Sequence, residues 1–287
     1  SQHIPRRRCS RTCPGYKISR IRNPENILLF AHDRFHSYRK QHNHHCADQQ
    51  QAAADKHAAR AVEIEHRSTA SRTQPEVRNA FSDEVIADIT AAFLEVGARP
   101  DVRVVVLAAE GPAFCAGANL NWMRRMADYT RDENLADAGK LADMLRVIFE
   151  CPKPTIARVQ GDVYAGGMGL VAACDMAVSV DTAGFCLSEV KLGLIPATIS
   201  PYVIRAMGAR AAHRYFLTAE RFDAAEALRI GFVHAVVGAD QLDAKVDELL
   251  KALTSASPNA VRACKQLVQN VAEREIDASL IAATVEG

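Results

Sequence analysis

From Ser82 onward the apolar positions of the chain fall into regular runs. Val85, Ile89 and Phe93 recur every fourth residue behind Ser82, a residue type that caps helix starts, and Gly97 is placed to close that helix. Val102-Arg103-Val104-Val105-Val106-Leu107 is nearly continuous in apolar residues, the pattern of a strand buried on both faces. Asp132 to Phe149 predicts a helix with Leu135, Leu141, Leu145 and Ile148 on one face, stopped by Pro152 and Pro154 ahead of a second strand, Thr155–Val159. A short buried helix from Gly166 to Cys174 and a strand Met176–Val180 follow. After Pro196 the pattern predicts helices around 201–207, 209–217 and 223–230, a strand at 233–237, and helices near 241–253 and 259–271. Strands alternating with helices in this way define an α/β domain built from ββα or βαβ repeats.

Residues 1–60 read differently. They are rich in Arg, His and Gln, with one apolar run, Ile27-Leu28-Leu29-Phe30, and disorder or loose packing is expected there. Val62-Glu63-Ile64-Glu65-His66-Arg67 reads as a strand. The chain therefore divides near residue 74 into an atypical segment, 1–74, and a regular remainder. Cys9, Cys13, His32, His36, His42, His44, His45 and Cys46 crowd the first segment, but their spacings match no standard zinc pattern, so no metal is expected.

Composition narrows the function. Lys and Arg number 35 against 34 Asp and Glu, so no global charge draws the chain to nucleic acid or a membrane. RNA binding through the Arg-rich first segment is a minor alternative, since that arm has few interleaved aromatics. No apolar run approaches the roughly 20 residues of a spanning helix, and no secretory core is present, so a cytoplasmic protein is expected. Cys115, Cys151, Cys174 and Cys186 sit among apolar neighbours and read as reduced, buried thiols. No Gly-Lys-Ser/Thr phosphate loop occurs, and no Gly-x-Gly-x-x-Gly follows the first strand, which argues against nucleotide hydrolysis and hydride transfer.

Two Gly/Ala loops carry the candidate chemistry. Phe114-Cys115-Ala116-Gly117-Ala118-Asn119-Leu120 and Tyr164-Ala165-Gly166-Gly167-Met168-Gly169-Leu170 each follow an apolar strand and each open a helix. Small residues allow a ligand close to the backbone, and early helix amides point outward without acceptors. Two such amides on one carbonyl make an oxyanion hole, and a thioester held there becomes acidic at its α-carbon. A carboxylate must then move protons. Glu189, in Leu187-Ser188-Glu189-Val190-Lys191-Leu192-Gly193, is the candidate; a solvated loop glutamate or a partner of Lys191 is the alternative reading. Cys115 lies inside the first loop, where packing competes with a nucleophilic role.

Taken together these segments resemble the crotonase (enoyl-CoA hydratase/isomerase) superfamily. The resemblance runs through Pro75-Glu76-Val77-Arg78-Asn79-Ala80-Phe81, Ala113 to Leu120, Lys153-Pro154-Thr155-Ile156-Ala157, Gly161 to Asp175, Phe185 to Pro196, Leu217 to Ala224 and Gly231-Phe232-Val233. It implies a spiral of ββα repeats with C-terminal helices, its core at 75–255 and its helical region begun at 256–287 and looking truncated against the family, assembled as trimers or hexamers, acting on an acyl-CoA thioester with no further cofactor. By position it implies hole amides at Ala118 and Gly166 and a catalytic Glu189. It implies that Arg78, Ala116 and Leu120 line the pantetheine and adenine path; Gly117, Trp122 and Tyr164 are further candidates at the substrate, with capping of the core as the alternative reading of Trp122. One departure stands out: two-glutamate hydratases carry a second glutamate where this chain has Gly169. A single glutamate is also what double-bond isomerases use. Leu120-Asn121-Trp122-Met123, Asn134-Leu135-Ala136-Asp137-Ala138 and Gly193 to Tyr202 look like the bacterial methylglutaconyl-CoA hydratase branch of leucine degradation. The expected activity is reversible hydration of a 2-enoyl-CoA, 3-methylglutaconyl-CoA first. An enoyl-CoA isomerase and a catalytically degenerate acyl-CoA-binding protein are the alternatives. Asn119 stands where the family mostly has aspartate.

Overall fold

The computed structural model describes residues 78–286, except the side chain of Leu120, and before them the backbone of β1 (Ile21–Arg22), β2 (Ile27–Asp33) and β3 (Ala61–Glu63). Helix α1 (Asp83–Ala98) starts where Ser82 Oγ accepts from the Val85 amide and buries Val85, Ile86, Ile89 and Phe93. Gly97 lies inside its last turn, where a Cβ would press on Pro152 at 3.3 Å.

Three ββα units follow. The first joins β4 (Val102–Ala109) and β5 (Ala113–Cys115) to α2 (Leu120–Met126) and α3 (Arg131–Phe149). The second is β6 (Thr155–Val159), β7 (Asp162–Tyr164) and α4 (Gly166–Ala173). The third is β8 (Met176–Val180), β9 (Gly184–Cys186) and α5 (Ser200–Thr218). The first strand of each unit enters one sheet, with β4, β6 and β8 parallel. The second strand enters another, with β5, β7 and β9 parallel. This repetition is the spiral of ββα units that the family resemblance implies. All eight residues of β4 are buried, which explains its nearly continuous apolar run; the exception, Arg103, donates from Nη2 to the Ala256 carbonyl at 2.8 Å.

β10 (Phe222–Asp223) extends the smaller sheet antiparallel to β9, and α6 (Ala224–Arg229) leads to β11 (Ala235–Val237), parallel to β8. Helix α7 (Leu242–Ser255) packs across β4, β6 and β8. Helices α8 (Pro258–Val271) and α9 (Ala278–Glu286) complete the described chain. α8 is tied down by polar contacts: Lys265 Nζ donates to Asp175 Oδ2 at 2.8 Å, and Gln269 Nε2 to the Phe149 carbonyl at 2.8 Å. No helix among the described residues is long and apolar enough to cross a membrane.

Some expectations need correction. Ile27–Phe30 belongs to β2, antiparallel to β4, so this stretch of the first segment is sheet and not loose chain. The remaining His and Cys positions named upstream, apart from His32 in β2, lie outside the described residues, as do residues 64–74. The two helices expected between 201 and 217 form one element, α5, kinked at Gly208, whose φ is 77°. On α3, Leu135 is exposed at 56%, and the buried positions are Asp137, Met144, Leu145 and Ile148.

Candidate active site

The first loop is held from below by residues 78–81. Asn79 adopts a left-handed φ of 56°, which asparagine tolerates, and its Nδ2 donates to the carbonyls of Glu110 and Ala113, each at 2.8 Å. The Ala116 amide donates to the Arg78 carbonyl at 3.0 Å. The Phe81 amide donates to the Gly117 carbonyl at 2.7 Å, and the Asn119 amide to the Phe81 carbonyl at 2.8 Å. These two bonds flank Ala118 in a parallel bridge, so the Ala118 N–H faces away from Phe81.

The second loop supplies the other amide. Ala165 precedes α4 with φ 46° and ψ −119°, a conformation that costs an alanine about 1–3 kcal/mol. No side chain caps this helix, and the N–H of Gly166, in its first turn, has no intrahelical acceptor. The loops are pressed together. A Cβ on Gly117 would lie 3.0 Å from the Ala165 Cβ, one on Gly166 2.7 Å from Phe81 Cε2, and one on Gly167 2.8 Å from the Cys115 Cβ. Phe81 therefore organises both halves, pairing its backbone with one loop and seating its ring on the other. Cys115 is fully buried beneath this junction, and packing accounts for it. Cys151, Cys174 and Cys186 are likewise buried free thiols, their pKa values pushed up mainly by burial.

Ala118 and Gly166 border a cavity of about 330 Å³ whose wall includes Ala116, Trp122, Leu141, Glu189 and Ile199, with Leu192, Leu194 and Ile195 at its exposed side. Glu189 opens a 3₁₀ turn, Glu189–Leu192, ended by Gly193 at φ 73°. Its Oε2 is buried with no hydrogen-bond partner, which matches neither a solvated glutamate nor a partner of Lys191. Burial pushes its pKa up, opposed in smaller part by its own backbone N–H.

The position of the absent second glutamate is filled. A Cβ on Gly169 would sit 2.5 Å from Ile199 Cγ2 and 3.3 Å from Leu145 Cδ2. Asn119 does the work of an N-cap for α2: its Oδ1 accepts from the amides of Asn121 at 2.9 Å and Trp122 at 3.3 Å.

Of the residues singled out from the sequence, Ala116, Ala118, Trp122, Gly166 and Glu189 come together around this cavity. Gly117 and Tyr164 do not line it; they form the contact between the loops, where a Cβ on Gly117 would lie 3.4 Å from the Tyr164 carbonyl. Arg78 is exposed and off the cavity wall, though its carbonyl positions Ala116. Leu120 begins α2. Met123, Thr198 and Ile199 also line the cavity and fall in the segments 120–123 and 193–202 that the family resemblance marks, whereas Leu141 and Ser188, which line it too, were not singled out as site residues. A larger cavity of about 720 Å³ lies under α8. In its lining Lys265 is bound to Asp175, and His234 Nδ1 accepts from the Ala177 amide.

Two outward main-chain amides beside one buried carboxyl define a protein that can polarise a carbonyl and move a proton next to it. The chain matches the family described as Enoyl-CoA hydratase/isomerase over residues 72–285, and it belongs to that family, the crotonases. It is 35% identical over 206 residues to the enoyl-CoA hydratase ACTT6 of Alternaria alternata, spanning 71% of this chain and 67% of that protein. Among solved structures it is similar to an enoyl-CoA hydratase from Shewanella pealeana, with a TM-score of 0.72 and 42% identity over 75% of this chain and 80% of the other. An enoyl-CoA hydratase from Mycobacterium smegmatis aligns with a TM-score of 0.70 and 33% identity over 74% and 82% of the two chains.

Proposed function

We propose that this enzyme adds water reversibly to a 2-enoyl-CoA, with 3-methylglutaconyl-CoA its preferred substrate and Glu189 its single acid/base group. The observation that carries this reading is the buried, unpartnered Oε2 of Glu189 in the cavity bordered by Ala118 and Gly166. As the water oxygen bonds to C3, Glu189 takes a proton from it and the π electrons shift onto the thioester oxygen. The Ala118 and Gly166 amides stabilise that oxygen, each worth about 3–4 kcal/mol. Glu189 then returns the proton to C2, and the sum is one water added. The preference for a branched, carboxylated acyl group rests on the resemblance of residues 120–123, 134–138 and 193–202 to the methylglutaconyl-CoA hydratase branch.

An isomerase reading is favoured by one observation, the filling of the Gly169 position by Ile199, since proton transfer between carbons needs one carboxyl and no water. Product analysis by mass spectrometry over a panel of enoyl-CoA thioesters, with 3-methylglutaconyl-CoA included, separates the readings. A 3-hydroxyacyl-CoA is expected, fastest from the carboxylated branched substrate. A shifted double bond without a hydroxyl overturns hydration in favour of isomerisation, and acyl-CoA binding without turnover leaves only the degenerate binding protein.

A further inference from the structure

The cavity bordered by Ala118 and Gly166 has an exposed side, at Leu192, Leu194 and Ile195, and a buried one, to which Ile199 belongs. Ile199 is 2% exposed and lines the cavity. Its Cγ2 and Cβ lie 2.5 Å and 3.0 Å from the point where a Cβ on Gly169 would stand. Carbon atoms in contact rest about 3.5–4.0 Å apart, so the isoleucine side chain already fills the space over Gly169. Leu145, buried in the core, closes that space from another direction, its Cδ2 3.3 Å from the same point. The backbone of Ile199 is anchored independently of its side chain, because its carbonyl accepts from the Tyr202 and Val203 amides, each at 3.1 Å. A hydrocarbon chain in such a cavity gains about fourfold in affinity for each methylene buried, and the gain stops where the chain meets a buried wall.

We propose that Ile199 sets the longest acyl chain the cavity accepts, its side chain filling the space over Gly169 into which a longer chain would extend. The proposal rests on the reading of this cavity as the acyl site, but it concerns binding of saturated thioesters and does not depend on whether water is added. Ile199→Ala removes three carbons, Cγ2 among them. Since Ile199 lines the cavity, the vacated space joins the cavity instead of being sealed in the core. Gly169→Ala is the complement of that change, because its new Cβ would stand beside the position Cγ2 had left. Gly169 lies within α4 and is not among the glycines of positive φ, so alanine there carries no backbone strain.

Straight-chain saturated acyl-CoA thioesters of four to ten carbons, and CoA itself, are titrated by calorimetry into the full chain and its variants. In the parent, affinity is expected to rise with chain length and then level off. In Ile199→Ala the levelling should come about two to three methylenes later. A chain two methylenes past the parental limit should bind that variant about tenfold more tightly than it binds the parent, while the four-carbon thioester binds both alike. Gly169→Ala combined with Ile199→Ala should bring the limit back to near the parental length, a reversal that a merely loosened core would not show. If Ile199→Ala does not fold, Ile199→Val carries the test, with a limit moved by about one methylene and the next chain bound about fourfold more tightly. An unchanged limit in the folded variant overturns the proposal and leaves the acyl site standing, and so does a gain that Gly169→Ala fails to reverse. A parent that binds no thioester more tightly than CoA overturns the reading of the cavity as the acyl site, and the proposal with it.

Discussion

Restoring a second glutamate should harm this enzyme. In Gly169→Glu the first added atom, Cβ, would lie 2.5 Å from Ile199 Cγ2, where carbon atoms normally rest about 3.5–4.0 Å apart. Leu145 Cδ2 at 3.3 Å blocks the retreat. Ile199 and Leu145 are both buried, so neither can swing into solvent. Overpacking of this kind costs about 1–3 kcal/mol, and a carboxyl placed between two aliphatic side chains adds about 1–3 kcal/mol more. A total near 4 kcal/mol lowers the melting temperature by about 8–16 °C for a domain of this size. Thermal melts and crotonyl-CoA hydration assays on the purified variant measure both consequences. Gly169→Glu should be less stable and no faster than the parent. Gly169→Glu combined with Ile199→Ala, which removes Cγ2, should regain about half of the lost stability, a volume-relief effect. A single variant as stable as the parent would refute the reasoning, because it would mean that the space behind Gly169 is open.

The remaining expectations concern the two loops and Glu189. Gly166→Ala places a Cβ 2.7 Å from Phe81 Cε2, so the amide must move, and kcat should fall by about 10²–10³ with little change in substrate affinity; unchanged kcat would remove this amide from the site. Because burial raises the folded-state pKa of Glu189, the folded protein holds a proton that the unfolded chain has released between the ordinary glutamate value of 4.5 and the raised value. The contribution of Glu189 to stability is therefore greatest below 4.5 and is lost as pH rises through that window. Glu189→Gln should abolish this part of the pH dependence in denaturant titrations; an unchanged slope would show that the carboxyl is not buried.

Much of the spiral was readable because its long strands are buried on both faces. Thr155–Val159 and Met176–Val180 occupy the positions that their apolar runs suggest. The short strands β5 and β7 were read as parts of loops or left unassigned, since three residues flanked by glycine carry no period of their own. Leu135 was misplaced because a helical period fixes spacing but not which stripe faces inward, and α3 turns Asp137 and Met144 to the core instead. Among candidate site residues, the two small-residue loops and Glu189 stood out in the sequence, the positions Ala118 and Gly166 within those loops came from the family resemblance, and the structure brings all three to one cavity. Ile199 was not. Its role depends on contact with Gly169, thirty positions earlier in the chain, and no local pattern encodes that approach.

Hydration in water enriched in oxygen-18, followed by mass spectrometry of the acyl-CoA product, tests most directly whether Glu189 alone moves the protons. The account predicts one labelled oxygen in each 3-hydroxyacyl-CoA formed by the parent enzyme, and a rate about 10²–10⁴-fold lower in Glu189→Gln. Labelled product at the parental rate from Glu189→Gln would contradict it.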